Sequence, residues 1–189
     1  MKNKKYQLIA LIGKAGSGKD TILKDVIRIS DSSINYIISY TTRPMREGEI
    51  EGKEYHFISE KEFEQMVNNN QMLEYIQFNN WWYGTGIKCL DKNKINIGIF
   101  NPSGIKTLLN FSDIDLQIYY IHASDKQRFL RQLSREEYPD VKEIIRRYFA
   151  DEEDFKDIKF DNMEILFNEI QQDELKCCDK IMDHPWFWD

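Results

Sequence analysis

Apolar residues fall along this chain in short dense blocks, separated by stretches in which they recur every three or four positions. "QLIALIG", "INIGIF", "LQIYYIHA" and "MEILFN" are almost unbroken apolar runs, the pattern of strands covered on both faces. "NYIISYTT" reads as a second strand, "YHFI" as a short one and "MLEYIQF" as another, while "NNWWYGTG" reads as a turn rich in aromatics. Between these, "KDTILKDVIRIS" sets Ile22, Leu23, Val26 and Ile27 at helical spacing. "SEKEFEQMVNN" is a helix opened by a capping box of Ser59 and Glu62. "PSGIKTLLN" carries Pro102 in its first turn, and Ser124 caps "DKQRFLRQLSREE". "VKEIIRRYFADEEDF" and "EIQQDELKCCDKIM" are the remaining helices. Strands alternating with helices predict an α/β fold with a largely parallel sheet. Residues 41–86 break the alternation with short strands and turn residues, which predicts a small β-rich unit inserted into the core. "REEYPD", residues 135–140, is a polar break between two helices and a candidate mobile lid.

Composition narrows the picture. The 189 residues suffice for one well-buried domain, and 41% hydrophobic with 13% aromatic residues exclude a disordered chain. A net charge of −6 argues against a general nucleic-acid binder. The charge is uneven: residues 1–50 hold nine Lys/Arg against five Asp/Glu, and residues 151–189 hold four against thirteen. The basic part suits an anionic ligand, and the acidic tail reads as a solvated helical face. No apolar run approaches the roughly 18 residues of a membrane span. "MKNKKYQLIALIG" reads as a first strand rather than a signal peptide. Cys89, Cys177 and Cys178 lack metal-ligand spacing and suit a reducing compartment, and His56, His122 and His184 are isolated. A cytoplasmic protein without a membrane or nucleic-acid partner, monomeric or homodimeric, is the expectation.

"LIGKAGSGKDT" carries the first chemistry. Gly13, Lys14, Ala15, Gly16, Ser17, Gly18 and Lys19 form a phosphate-binding loop that follows a predicted strand and opens a predicted helix. Glycines let backbone N–H groups turn inward around phosphate oxygens, the helix N-terminus adds partial positive charge, and Lys19 adds a full one. Asp20 stands where such loops carry a hydroxyl for Mg²⁺. Its carboxylate is either a variant metal contact, or a cap or dipole partner of the helix. Thr21 lies about 100° further round the helix.

"SYTTRPMREGEIEGKEYHF" and "LEYIQFNNWWYGTG" are more specific. With the loop, the lid and the closing "ILFN", they make the chain resemble the guanylate kinase family of nucleoside monophosphate kinases over nearly its whole length. The resemblance implies a P-loop kinase fold with core 1–40, 87–130 and 148–189, an acceptor-binding subdomain at 41–86 and a lid at about 131–147. It places Arg43, Arg46, Tyr55 and Tyr83 on the acceptor's phosphate. Two guanidinium forks three residues apart suit a phosphate dianion. Glu74 matches the base-reading carboxylate, which can accept from the adjacent N1–H and N2 amino group of guanine. Ser39 and Thr85 match smaller contacts to the base. Trp81 and Trp82 either wall the pocket or pack. The family's D-x-D after the core strand is replaced by Ile99 and Asn101. That change alters one base contact, worth roughly 1–3 kcal/mol in discrimination by analogy with other base readout.

The resemblance also places Arg131, Arg135 and Arg147 over the donor phosphates, with Arg146 an alternative to the last, and Asn168 near the donor base. It implies transfer of the γ-phosphoryl of Mg²⁺–ATP to GMP or dGMP, with Lys19 and the lid arginines stabilising the transferring group. Two other readings remain open at the level of sequence: a kinase of broader or deoxynucleotide specificity, and a protein-interaction domain that has lost catalysis.

Overall fold

The structure is a computed structural model that describes residues 5–30, 32–135 and 137–188. Its main sheet has five parallel strands: β1 (Tyr6–Ile12), β2 (Ile34–Tyr36), β7 (Ile95–Ile99), β8 (Ile114–His122) and β9 (Met163–Phe167), in spatial order β2-β7-β1-β8-β9. Central β1 explains its own composition. Ile9 and Leu11 face a core built with Ile22, Leu23 and Val26 of helix α1 (Lys19–Ile29) and Cys177, Cys178 and Ile181 of α6 (Gln171–Met182). Leu8, Ala10 and Ile12 face the other layer, with Ile105 and Leu108 of α3 (Pro102–Leu108). With both faces covered, every second position is apolar on each side and the run is continuous.

The second sheet, of four strands in order β4-β3-β6-β5, comprises β3 (Tyr40–Thr41), β4 (His56–Phe57), β5 (Met72–Phe78) and β6 (Trp81–Gly86). Helix α2 (Glu60–Asn68) packs on it, and the Ser59–Glu62 capping box forms as the spacing predicts. Two sequence expectations are corrected here. "NYIISYTT" is two strands, because the chain leaves the main sheet after Tyr36 and enters the second at Tyr40. "NNWWYGTG" is a turn only at Asn79 and Asn80, whose φ of 49° and 65° closes a two-residue hairpin; the aromatics beyond pair with β5 as β6.

The entry and exit of the second sheet run side by side. Asn35 Nδ2 donates to the Cys89 carbonyl at 2.7 Å, and Cys89 Sγ donates to the Ile38 carbonyl at 3.4 Å. Helices α4 (Asp125–Leu133) and α5 (Val141–Asp154) follow β8, with Ser124 and Asp140 as their caps. The expected extension of α4 through "SREE" does not occur, since the helix ends at Leu133. Glu136, inside the expected lid, lies outside the described residues. No helix among the described residues is long and apolar enough to cross a membrane.

Candidate active site

The loop 13–18 leaves the carboxyl end of β1, where the sheet's strand order turns to either side and an open α/β sheet has its crevice. Gly16 and Gly18 take φ of 79° and 91°, a region that side chains with a Cβ disfavour. Gly18 is the N-cap of α1 and no side chain caps the helix. Asp20 therefore does not cap the helix, while its place in the first turn fits a partner of the helix dipole. Asp20 sits in the first turn, half exposed, with its carboxylate 3.5 Å from Lys19 Nζ.

Long-range contacts hold the loop rigid. Arg128, 1% exposed, donates from Nε to the Ala15 carbonyl at 3.1 Å and from Nη2 to Asp151 at 3.1 Å. Asp151 in turn accepts the Ala15 N–H at 2.6 Å, so both backbone polar groups of one loop residue are gripped. Burial pushes the Asp151 carboxyl above its usual range, against the Ala15 N–H and the charges of Arg128, Lys19 and Lys14. Lys14 pairs with Glu152. Sequence reading missed Arg128, Asp151 and Glu152 and placed the last two on a solvated face. Only their partners over a hundred residues away reveal them.

Arg131 and Asn168 pack behind the loop. Arg131 donates to the carbonyls of Ser17 at 3.2 Å and Asn168 at 2.9 Å, and Asn168 Nδ2 donates to the Ser17 carbonyl at 2.8 Å. Neither lines the cavity in front. Ser17 Oγ is buried without a hydrogen-bond partner among the described residues.

That cavity, about 700 Å³, lies between the loop, the second sheet and helices α4 and α5. It is lined by Gly13, Ala15, Gly16, Lys19 and Asp20 on one side and by Ser39, Arg43, Arg46, Tyr55, Glu74, Tyr83 and Asn101 on the other, with Arg135 and Arg147 at the edge. Lys14, Ser17, Gly18, Thr21 and Thr85 stand outside its wall.

At one end of the wall formed by the second sheet, the Tyr55 and Tyr83 rings meet edge to face at 5.8 Å, and the Arg43 guanidinium lies 5.7 Å from the centre of Tyr55. Arg43 is forked onto Glu49, a residue the sequence did not single out. The fork raises the Arg43 pKa and holds the Glu49 carboxyl below its usual range.

At the other end, Glu74 is 9% exposed. Burial raises its pKa against hydrogen bonds from Thr85. Ser39 and Thr85 hydroxyls are 3.1 Å apart. Asn101 caps α3, its Oδ1 accepting the Gly104 N–H at 2.6 Å. One lone pair of its oxygen is thus engaged locally, and its amide N–H groups stay available to a ligand. Trp82 stacks on Phe63 at 5.9 Å and meets Tyr75 at 5.9 Å, packing the second sheet onto α2 outside the cavity.

On α5 the two adjacent arginines diverge. Arg147, on the cavity, donates to Glu143 at 2.8 Å. Arg146 forks onto the same carboxylate at 2.7 and 2.8 Å and lies 4.8 Å above the Phe78 ring of β5. Arg146 and then Arg147 push the Glu143 carboxyl down to about 2. Among the described residues no cluster of three or more His, Cys, Asp or Glu forms a metal site. A cation here would need oxygens from a bound nucleotide beside Asp20, a usual arrangement for Mg²⁺.

The family model described as guanylate kinase matches residues 5–184. The guanylate kinase of Malacoplasma penetrans is 37% identical over 155 residues, covering 77% of this chain and 79% of that protein. That of Lactiplantibacillus plantarum is 40% identical over 90 residues, and the chain spans only 44% of its length. Among solved structures, guanylate kinase from Anaplasma phagocytophilum superimposes with a TM-score of 0.61 at 16% identity, covering 96% of this chain and 85% of that one, a likeness of fold.

Proposed function

The chain belongs to the guanylate kinase family of ATP-dependent phosphotransferases, and we propose that it transfers the γ-phosphoryl of ATP to GMP or dGMP in the cavity described above. One observation carries this reading: Lys19 and the glycine loop face Arg43, Arg46, Tyr83 and Glu74 across a single cavity. A donor phosphate chain on the loop therefore meets an acceptor held from the other side. Phosphoryl transfer asks for this positioning and for charge neutralisation, and for little covalent chemistry from the protein.

In this reading Lys19 neutralises the transferring group, with Arg135 and Arg147 closing from the segment 131–147, which acts as the lid. Arg131 contributes through the loop carbonyls it holds, shaping the phosphate cradle. Arg46 and the Tyr55 and Tyr83 hydroxyls orient the acceptor's phosphate together with Arg43. Glu74 accepts the guanine N1–H and N2 protons, with Ser39 and Thr85 around it. The segment 41–86 is the acceptor-binding unit. Asp20 fits as the protein's contact to Mg²⁺, which when bound supplies charge compensation at the β- and γ-phosphate oxygens. No general base is needed, because a phosphate monoester is largely dianionic at neutral pH.

The test is a coupled ADP-release assay with Mg²⁺–ATP, comparing GMP, dGMP, AMP, CMP, UMP and dTMP at equal concentration. Strong preference for GMP and dGMP is expected. Comparable rates on several acceptors would overturn the guanine assignment, and no turnover with ATP still bound would overturn catalysis.

A further inference from the structure

Glu49 sits at the acceptor end of the cavity, among the residues assigned above to the phosphate, although it carries the wrong charge to bind one. Its carboxylate grips Arg43 end-on: Nη2 donates to Oε1 at 2.7 Å and Nη1 to Oε2 at 3.0 Å. Oε2 also accepts the backbone N–H of Arg46 at 2.7 Å, which ties the two arginine positions together. The second Nη1 proton goes to the Pro44 carbonyl at 2.7 Å.

A guanidinium has five N–H donors in one plane. Three are consumed by these bonds, and the remaining two, Nε–H and the second Nη2–H, share one edge. That edge is the pair whose spacing matches two oxygens of a single phosphate. No carboxylate or carbonyl takes it among the described residues; the other polar group beside Arg43 is the Tyr83 hydroxyl, itself assigned above to the acceptor's phosphate. The rings of Tyr55 and Phe57, 5.7 and 5.5 Å from the guanidinium carbon, further limit how Arg43 can turn. Arg43 is only 5% exposed, so its plane is set by these partners rather than by solvent.

We propose that Glu49 is a positioning residue for the acceptor's phosphate: it takes the far edge of Arg43 so that the complete Nε–Nη2 edge is offered to the ligand. This rests on the reading of the cavity as a GMP site. A carboxylate that merely stood in for the absent phosphate would be displaced by it and would compete with it. The two roles predict opposite signs. Removing the Glu49 charge makes the pocket more positive, so a competitor's loss tightens the phosphate, whereas loss of a positioning residue weakens it.

The experiment compares full-length wild type with Glu49→Gln, Glu49→Asp and Arg43→Lys, measuring KM for GMP and ATP, equilibrium binding of GMP and of guanosine, and thermal melting. Glu49→Gln halves the fork, and Glu49→Asp keeps the charge but cannot reach both nitrogens. Each is expected to raise KM for GMP about tenfold or more, the scale of a charge-assisted contact. KM for ATP and the affinity for guanosine, which lacks the phosphate, should change by less than about twofold. An unchanged or lowered KM for GMP in Glu49→Gln would overturn the proposal, as would an equal rise in KM for ATP or an equal loss for guanosine. If one Glu49 variant fails to fold, the other decides by the same criteria. If Arg43→Lys also leaves KM for GMP unchanged, the assignment of the site itself fails. If Arg43→Lys raises it while Glu49→Gln does not, the positioning role alone is refuted.

Discussion

Gly104→Ala offers a way to move the Glu74 carboxylate, proposed above to read the base, without unfolding the helix beneath it. Gly104 lies in the first turn of α3, and a Cβ there would stand 3.1 Å from Glu74 Oε2 and 3.3 Å from Asn101 Oδ1. Both distances fall a few tenths of an ångström short of comfortable contact. Glu74 Oε2 is the end of a flexible side chain, so the strain is relieved by moving the carboxylate rather than the backbone. Replacing Gly by Ala inside a helix gains about 0.8–1 kcal/mol. That gain offsets the remaining crowding, and Tm is expected to stay within about 4 °C of wild type for a chain of this size. Function responds differently. Displacing one base-reading contact costs about 1–3 kcal/mol, or roughly 5- to 150-fold in KM for GMP, with KM for ATP unaffected. Steady-state kinetics with each substrate varied in turn, beside a melting curve, provide the assay. An unchanged KM for GMP in a protein of unchanged Tm would refute the role of Glu74 as base reader. A large fall in Tm would instead show that Gly104 serves packing.

Three other perturbations follow from the geometry. Burial raises the pKa of Glu74, so the folded protein binds that proton more readily than the unfolded chain does. The charged carboxylate therefore costs stability above its raised pKa, and the cost is relieved as pH falls through it. Glu74→Gln should melt higher than wild type near pH 8, with the difference shrinking toward pH 4.5, while KM for GMP rises; a pH-independent difference would contradict this. Arg128→Ala leaves Asp151 and the Ala15 carbonyl without their partner and should cost about 3 kcal/mol, or about 6–12 °C in Tm, by calorimetry. A loss below about 1 °C would refute the clamp. Asp20→Ala should keep ATP binding but shift the Mg²⁺ and Mn²⁺ dependence of the rate, and unchanged metal titrations would remove Asp20 from the metal.

The main-sheet strands and the helices packed on them were legible because local pattern and burial agree there. Tyr6–Ile12 is apolar on both faces and is covered on both. The capping box at Ser59 is local and was read correctly for that reason. "NYIISYTT" misled because a continuous β-forming run says nothing of which sheet each half joins. The tip at Asn79–Asn80 hid β6, since asparagines and glycines around aromatics look like a long turn when only two residues adopt positive φ. At the cavity, several residues singled out from dense motifs come together, whereas nothing in the sequence singled out Glu49, Arg128 and Asp151. Their significance comes from partners distant in sequence or from a hydrogen-bond edge, and single-residue patterns carry neither.

The cross-tie between Asn35, Ile38 and Cys89 has a consequence for engineering. The whole segment from Tyr40 to Gly86 enters and leaves through two chain crossings bonded to each other, so it is spliced into the core as one cassette. A chimaera that exchanges 40–86 for the corresponding segment of a related kinase would need matching at that seam, where Leu73 enters the main-sheet core beside α3, and where Phe78 meets Arg146. Under the assignment proposed above, acceptor selectivity would then be transplanted while the phosphate-loop half of the molecule stays untouched.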